Sequence, residues 1–547
     1  MIATRRLDIA CLSLAMVLSF ALRAWGFGSV GIDHFDEGIY ALAGLGLGSG
    51  WPMVDPSLIA YAPPGYPILV GVAYRLLGPS DVAAIGVSIV LGSITIPFLA
   101  GLTAKAFGRG AGLLMAIFGA FWGAQIVFSR MALTDALFLF AWSLAMWAGA
   151  RTLDHPTFGR ALVAGLAIGL AMNVKYNGWL VGLVLLLAAL PLLRRGPWPA
   201  RLAVVFALIV AGLVYIPWFF FVEGHGGYSS LLKHQSSYVL GPAAWWRDFH
   251  LQLSQVEALS GLPLWTTEVR PLLALIALGC SVLNWRPLPV RVRLLCAALA
   301  ATALLLAPSL IWWVALMTLQ TRLFDQRPHV RVVAWAWLVL AILTPLYHPY
   351  ARLWLPVHAV GLALVCGSLM ARVPVLEGRS IVWPSLVALA ALGFTLESTP
   401  GRPLPGLLGP TDSLRTACLD AVETLGEQNT PVPVLARPSA LYYLGQRLSV
   451  ARHAEAKDLV HSFGRSRWLL IDTAQWRQDD AHDEVGAELQ RRWEVAETWR
   501  APLNPATWLD ADPGAATNTS RTNQAELTLY RRRDTEVARP NTMTHDP

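Results

Sequence analysis

Up to about residue 397 the chain alternates long apolar stretches with short polar turns. Apolar runs fall near residues 8–27, 82–104, 111–129, 135–150, 161–174, 177–193, 202–222, 271–284, 293–307, 309–320, 332–347, 353–371 and 381–397. A helix needs about 20 such residues, or somewhat fewer when packed within a bundle, to cross a hydrocarbon core about 30 Å thick. The pattern predicts a multi-pass α-helical membrane protein with about thirteen transmembrane helices. The pairs 161–193 and 293–320 also fit one long bent helix each. Residues 63–77 read as an interfacial segment, opened by Pro63-Pro64-Gly65-Tyr66-Pro67 and closed by Arg75 and Gly78-Pro79.

The pattern changes after residue 400. Pro and Gly cluster over 400–410, and then short β-type runs (Val432–Ala436, Arg447–Ala451, Trp468–Asp472, Trp493–Trp499, Leu527–Arg531) alternate with the helix-like segments Leu414–Leu425 and Glu455–Phe463. Such alternation predicts a small soluble α/β domain over 400–547. The division is therefore a transmembrane domain, 1–399, with larger loops at 28–80 and 223–270, followed by this C-terminal domain.

Composition supports the membrane reading. Of 547 residues, 55% are hydrophobic and 14% charged, against about 25% charged in soluble domains. The 23 Trp residues suit interfacial belts. The net charge of +7 is a topology signal. Lys105, Arg109, Arg151, Arg160, Arg194, Arg195, Arg201, Arg286, Arg291, Arg293, Arg322, Arg327, Arg331, Arg372 and Arg379 all fall in turns on one side of the predicted bundle. The opposite turns hold Asp33, Asp36, Glu37, Asp55, Asp81, Glu223, Glu257 and Glu268. Positive residues mark the cytoplasmic side of an inner or plasma membrane. With Arg5 and Arg6 ahead of the first span, read as an uncleaved anchor, the N-terminus is cytoplasmic and the C-terminal domain extracytoplasmic. No basic folded face with interleaved aromatics speaks for nucleic acid. The five Cys show no CxxC or zinc spacing, so no metal ligands and no cofactor are assigned.

Candidate chemistry collects in the acidic turns. Asp36 and Glu37 follow the first span, with Tyr40 one turn on along the face of Asp36. A carboxylate shielded at a membrane edge can serve as a general base; acids are also favoured at any helix N-terminus by its dipole. Arg130 and Asp135 bracket the turn between two spans, where an N-cap is the plain alternative for Asp135. Lys175 lies between two apolar runs, a place for holding an anion or for snorkelling to the interface. His348, Tyr350 and Arg352 stand at the edge of a later span, as phosphate contacts or as an aromatic belt with one Arg. The His, Lys, Arg and Trp of 223–270 read as an amphipathic interfacial segment.

Taken in order, these motifs resemble those of membrane glycosyltransferases that use polyprenyl-phosphate sugars, the GT-C fold, and in particular the protein O-mannosyltransferase and lipid A aminoarabinose transferase group. The resemblance spans about residues 7–370. It rests on Asp36-Glu37-x-x-Tyr40-Ala41, Tyr61-Ala62-Pro63-Pro64-Gly65-Tyr66-Pro67, Arg130 with Thr134-Asp135, Gly169 to Lys175, and Tyr347 through Arg352 to Pro356. It implies transfer of a hexosyl or pentosyl group, mannosyltransferase-like, from a polyprenyl-phosphate donor to a protein, lipid or glycan acceptor, with inversion. Asp36 takes the role of base. Glu37 and Asp135 meet acceptor or sugar hydroxyls, and Lys175 and Arg352 neutralise the leaving phosphate. Tyr40, Tyr61, Tyr66, Arg130, His348 and Tyr350 complete the substrate contacts. Some relatives carry Glu-Lys before the Pro pair, the Glu binding a divalent metal; Tyr61 and Ala62 stand there instead. The alternative is a transporter or flippase of a lipid-linked or small polar substrate, which would need ionisable residues near the midplane of several spans.

Overall fold

The computed structural model describes residues 2–49, 62–259, 289, 292, 310–319, 322–372, 412–428, 430–453, 456–459, 466–477, 482–502 and 524–533. Tyr61 and the predicted spans 271–284, 293–307 and 381–397 lie outside the described residues. The chain divides into two compact units. The first comprises Met1–Val30, Ile39–Pro410 and Asn504–Arg521; the second comprises Gly31–Gly38, Thr411–Leu503 and Thr522–Pro547.

The first unit is a helical bundle. Its elements are α1 (Ile2–Ala24), most of α2 (Phe35–Ser49), α3 (Gly65–Leu77), α4 (Asp81–Phe107), α5 (Arg109–Phe121), α6 (Gly123–Phe128), α7 (Thr134–Asp154), α8 (Phe158–Met172), α9 (Leu180–Arg195) and α10 (Trp198–Gly224). There follow α11 (Gly227–Ser236), α12 (Trp245–Leu259), α13 (Leu310–Leu319), α14 (Pro328–Leu343) and α15 (Leu355–Arg372). Among the described residues, seven helices are long and apolar enough to cross a membrane, and Gly65–Leu77, Arg109–Phe121 and Phe158–Met172 are shorter apolar helices. The stretch 161–193 is two helices and not one bent one: α8 ends at Met172, and a 3-10 turn over Tyr176–Trp179 precedes α9. The run 111–129 is broken at Trp122, whose extended backbone separates α5 from α6.

Helices in lipid gain little from hydrophobic contact with one another and associate through close packing. A Cβ added at Gly165 would lie 2.5 Å from the Ala207 carbonyl oxygen, and one at Gly169 2.6 Å from Val214 Cβ. The GxxxG spacing lets α8 and α10 approach at that distance. Hydroxyls within the long helices are satisfied locally: Thr95, Thr103, Ser143 and Thr152 each donate to the carbonyl four residues back. Arg23, fully buried at the end of α1, donates to the Ser19 and Ala120 carbonyls and joins α1 to the end of α5.

The helix α12 departs from the expected interfacial segment. Phe249, Asp248, Gln252 and Gln255 are buried along it, while Trp246 is exposed. The inward face thus carries polar groups. Two of their atoms have partners: Arg247 Nε donates to Asp248 Oδ1 at 3.1 Å, and Trp354 Nε1 donates to Gln252 Oε1.

The second unit is an α/β layer built on a five-stranded sheet of order β2-β1-β3-β5-β4. Its strands are β1 (Val432–Leu435), β2 (Val450–Arg452), β3 (Trp468–Asp472), β4 (Trp493–Pro502) and β5 (Gln524–Arg532). The β2-β1-β3 side is parallel and the β3-β5-β4 side antiparallel. Leu435, Ala456, Leu459, Leu469, Ile471, Val485, Leu489 and Trp493 form a core on one face. Helix α16 (Ser413–Leu425) precedes β1, and α17 (Pro438–Gly445) follows it after Ala436 and Arg437. The edge strand β4 carries charged side chains, Glu494 against Arg531 and Arg500 against Glu526, which blunt the edge against pairing with other chains.

Candidate active site

Short turns reverse the chain between successive helices of the first unit, so its two ends differ in chemistry. One end carries Lys105, Arg109, Arg151, Arg160, Arg194, Arg195, Arg201, Arg322, Arg327 and Arg331, beside the turns at Gly108, 155–157, 196–197 and 322–327. The other end carries Asp81, Asp135, Lys175 and the Tyr347–Arg352 stretch.

At that second end several of the sequence motifs meet within the first unit. Lys175 Nζ lies 2.5 Å from Asp135 Oδ1, with side-chain exposures of 17% and 2%. The ammonium also stands 5.7 Å over the Phe138 ring. Asp135 is therefore not an N-cap; α7 begins at Thr134, and the cap residue Leu133 makes no side-chain bond. Its Oδ2 is buried with no hydrogen-bond partner among the described residues. Lys175 is extended and partly buried, not snorkelling. The turn that carries it is fixed by Asn173, whose side-chain amide donates to the Gly169 and Val214 carbonyls at 2.9 and 3.2 Å. Asn173 also accepts the Gly65 amide on its backbone oxygen at 2.7 Å, which docks the start of α3 on the Lys175 turn.

Tyr66 is wholly buried, its hydroxyl 3.0 Å from the Ala84 oxygen and 2.8 Å from Ser88 Oγ. It joins α3 to α4. Tyr40 meets its ring edge to face, with centroids 5.8 Å apart. Arg130 is likewise turned into the protein, donating to the Arg23 and Trp25 carbonyls at the end of α1, where a cation complements the helix dipole.

A second cluster forms where residues 238–241 run beside 346–348. His348 N–H donates to the Tyr238 oxygen at 2.8 Å, and Leu240 N–H to the Leu346 oxygen at 2.9 Å. Tyr347 Oη donates to Gln235 at 2.9 Å. The rings of Tyr238, Tyr347, His348 and Tyr350 pack together, and the Arg352 guanidinium lies 5.1 Å from the Tyr350 centroid. Arg352 is a cation against aromatic faces, largely buried.

The Asp36-Glu37 segment belongs to the second unit. Both carboxylates sit in the first turn of α2 and are buried. Glu37, third in the helix, accepts the His34 amide at 2.9 Å and the Asp33 amide at 3.1 Å, a capping-box arrangement. The Asp36 amide donates to His34 Nδ1 at 3.0 Å, which puts the His34 ring proton on Nε2. Glu37 thus caps the turn in which both acids are buried.

Among the described residues no group of three or more His, Cys, Asp and Glu is arranged to hold a metal ion. The sequence reading missed Asn173, Tyr238 and Gln235. Asn173 stood inside a motif already singled out; the other two carried no signal in a loop read as interfacial.

Residues 61–221 match the family of dolichyl-phosphate-mannose-protein mannosyltransferases. Among curated proteins no sequence matches the chain. Two solved structures are similar in fold. ArnT from Cupriavidus metallidurans, bound to undecaprenyl phosphate, aligns with TM-score 0.58 and 14% identity over 95% of this chain and 97% of its own. The archaeal oligosaccharyltransferase AglB from Archaeoglobus fulgidus, with an inhibitory peptide and a dolichol-phosphate, aligns with TM-score 0.52 and 14% identity over 85% of this chain and 69% of its own. The chain thus shares the fold of ArnT and AglB, and its residues 61–221 match the model of the dolichyl-phosphate-mannose-protein mannosyltransferase family.

Proposed function

We propose that this protein is an integral membrane glycosyltransferase that moves a sugar from a polyprenyl-phosphate donor to an acceptor hydroxyl at the extracytoplasmic face of the cell membrane. The observation that carries the reading is the ion pair of buried Asp135 with partly buried Lys175, at the end of the bundle opposite the Lys- and Arg-rich turns. It lies on the turn against which the Pro63–Tyr66 motif docks. A polyprenyl tail confines the donor to the bilayer, so only side chains at a bundle end reach its head group. Undecaprenyl phosphate bound to ArnT and dolichol-phosphate bound to AglB are the corresponding lipids of the fold relatives.

The chemistry follows from the side chains. Asp36 accepts the proton of the acceptor hydroxyl as its oxygen attacks the anomeric carbon. The bond from that carbon to the phosphate oxygen breaks, and the electron pair leaves with the polyprenyl phosphate. One displacement inverts the anomeric centre. Lys175 retains two ammonium N–H donors beyond the one given to Asp135 and offsets the charge that builds on the phosphate. Arg352, with its planar fork, is the second cation. The unpartnered Asp135 Oδ2 is an acceptor for a sugar or acceptor hydroxyl. The transporter alternative finds no support in the fold likenesses or the family match.

The test compares incorporation of radiolabelled sugar from polyprenyl-phosphate sugars with solute uptake into liposomes holding the purified protein. Transfer by the native protein, and its loss by about 10²–10⁴-fold in Asp36→Asn, is the expected result. Uptake without transfer overturns the reading. Turnover near the native rate in Asp36→Asn moves the base elsewhere.

A further inference from the structure

The second unit contains the residues ahead of α2 as well as the C-terminal sheet, and the bonds between them are specific. Residues 31–34 precede the helix and have no ladder of their own to satisfy their amides. Ile32 N–H donates to Tyr443 Oη at 2.6 Å. The Asp33 carbonyl accepts from Ser439 Oγ at 3.2 Å. Both partners lie on α17 and are buried. A Cβ added at Gly38 would lie 2.1 Å from the Ser439 backbone nitrogen and 2.3 Å from the Pro438 carbonyl carbon. Backbone cannot yield at that distance, so the first turn of α2 rests directly on the start of α17.

The helix α17 is itself anchored. Arg437, the residue before it, forks onto Asp472 at the end of β3, Nε to Oδ2 at 2.5 Å and Nη2 to Oδ1 at 3.1 Å. A bidentate pair of this kind fixes orientation as well as distance. The path therefore runs from the parallel strands through Arg437–Asp472 to α17, and from α17 to residues 31–38. Inside that segment the Glu37 cap and the His34–Asp36 bond continue it to the Asp36 backbone.

We infer that the C-terminal unit positions the catalytic carboxylate: Tyr443 and Ser439 are positioning residues that clamp the 31–38 segment and set where Asp36 points. This rests on Asp36 being the base. A base must stand within hydrogen-bond reach of the proton it takes, and a misplacement of about 1 Å costs on the order of a hundredfold in rate. Neither Tyr443 nor Ser439 is assigned contact with substrate. Their hydroxyls act through the backbone of Ile32 and Asp33.

The experiment uses the full-length protein in nanodiscs, as native, Tyr443→Phe, Ser439→Ala, the double variant, and each of these with Asp36→Asn. The double variant should lower kcat roughly ten- to a hundredfold while leaving the donor KM within about twofold. In the Asp36→Asn background the same changes should lower the residual rate by no more than about twofold, because they act through the group already removed. Hydrogen exchange of residues 31–38, read by mass spectrometry on the same samples, should quicken in Tyr443→Phe and Ser439→Ala alike. A native kcat in the double variant, or an equal further loss in the Asp36→Asn background, overturns the inference. Unchanged exchange overturns the clamp itself, whatever the activity. If the native protein transfers no sugar, the functional reading fails on that result alone, and exchange still decides whether α17 holds the segment.

Discussion

At the scale of single residues, the pair Lys175–Asp135 joins stability to chemistry. Removing one member of a buried ion pair leaves the other uncompensated, a cost of about 3–5 kcal/mol, whereas replacing both is often close to neutral. Lys175→Met should therefore lower both the yield of folded protein and the transfer rate, the rate by roughly ten- to a hundredfold from the lost contact to phosphate. Lys175→Met with Asp135→Leu should recover the yield and not the rate. Fluorescence-detected size exclusion and the labelled-sugar assay separate the two effects; native turnover in the double variant would remove Lys175 from the mechanism. Arg352→Ala should slow transfer by a similar factor. Its guanidinium packs on Tyr350, so Arg352→Lys should recover only part of the rate, because an ammonium lacks the planar fork.

At the scale of elements, the site depends on how closely helices approach. The Lys175 turn is placed by α8, and α8 is placed by its glycine face on α10. Gly169→Leu would force a side chain onto Val214 and the Ala211 carbonyl. Overpacking of this kind costs about 1–3 kcal/mol, and the shift here would carry Asn173 and Lys175 with it. The expected outcome is a lower melting temperature in detergent together with a loss of transfer; an unchanged melting temperature would show that α8 and α10 separate without strain. The Asn173 side chain, bonded to both α8 and α10, is the polar counterpart of the same contact.

At the scale of the whole molecule, the segregation of Lys and Arg to one end of the bundle predicts its orientation. Cysteine labelling checks it. Cys11, Cys366 and Cys418 are buried, and burial pushes the Cys418 thiol well above its ordinary range, so these add little background. With Cys280 and Cys296 replaced, Ser230→Cys on α11 should react with an impermeant maleimide in intact cells. Arg195→Cys, at the end of α9, should react only after permeabilisation. Both positions are exposed, unlike Asp36 and Asp135. The reverse pattern would place the proposed site in the cytoplasm and sink the polyprenyl-phosphate reading with it. In the proposed mechanism Lys175 and Arg352 supply the positive charge, so a chelator should leave transfer within about twofold of native; strong inhibition reversed by one divalent ion would overturn that role.

The sequence by itself determined what is local or additive. Apolar runs of helical length specify membrane helices because each backbone in lipid must satisfy its own hydrogen bonds. Short β-rich runs at 432, 468, 493 and 527 specify strands, found there, because side-chain alternation is set residue by residue. Residue types at the turns singled out Asp36, Asp135, Lys175 and Arg352 as candidates. Tertiary structure decided which of them meet and which serve another end. Asp135 and Lys175 are 40 positions apart, and Ile32 and Tyr443 are 411 apart. No periodicity reports such pairings, because they follow from helix packing and the closure of long loops. The same packing sets the Tyr66 hydroxyl against Ala84 and Ser88 of α4 and the Arg130 guanidinium against the end of α1. It turned the polar face of α12 inward, where the Trp354 indole donates to Gln252. Helical periodicity says which residues share a face; only the assembled bundle says whether that face meets lipid, water or another side chain.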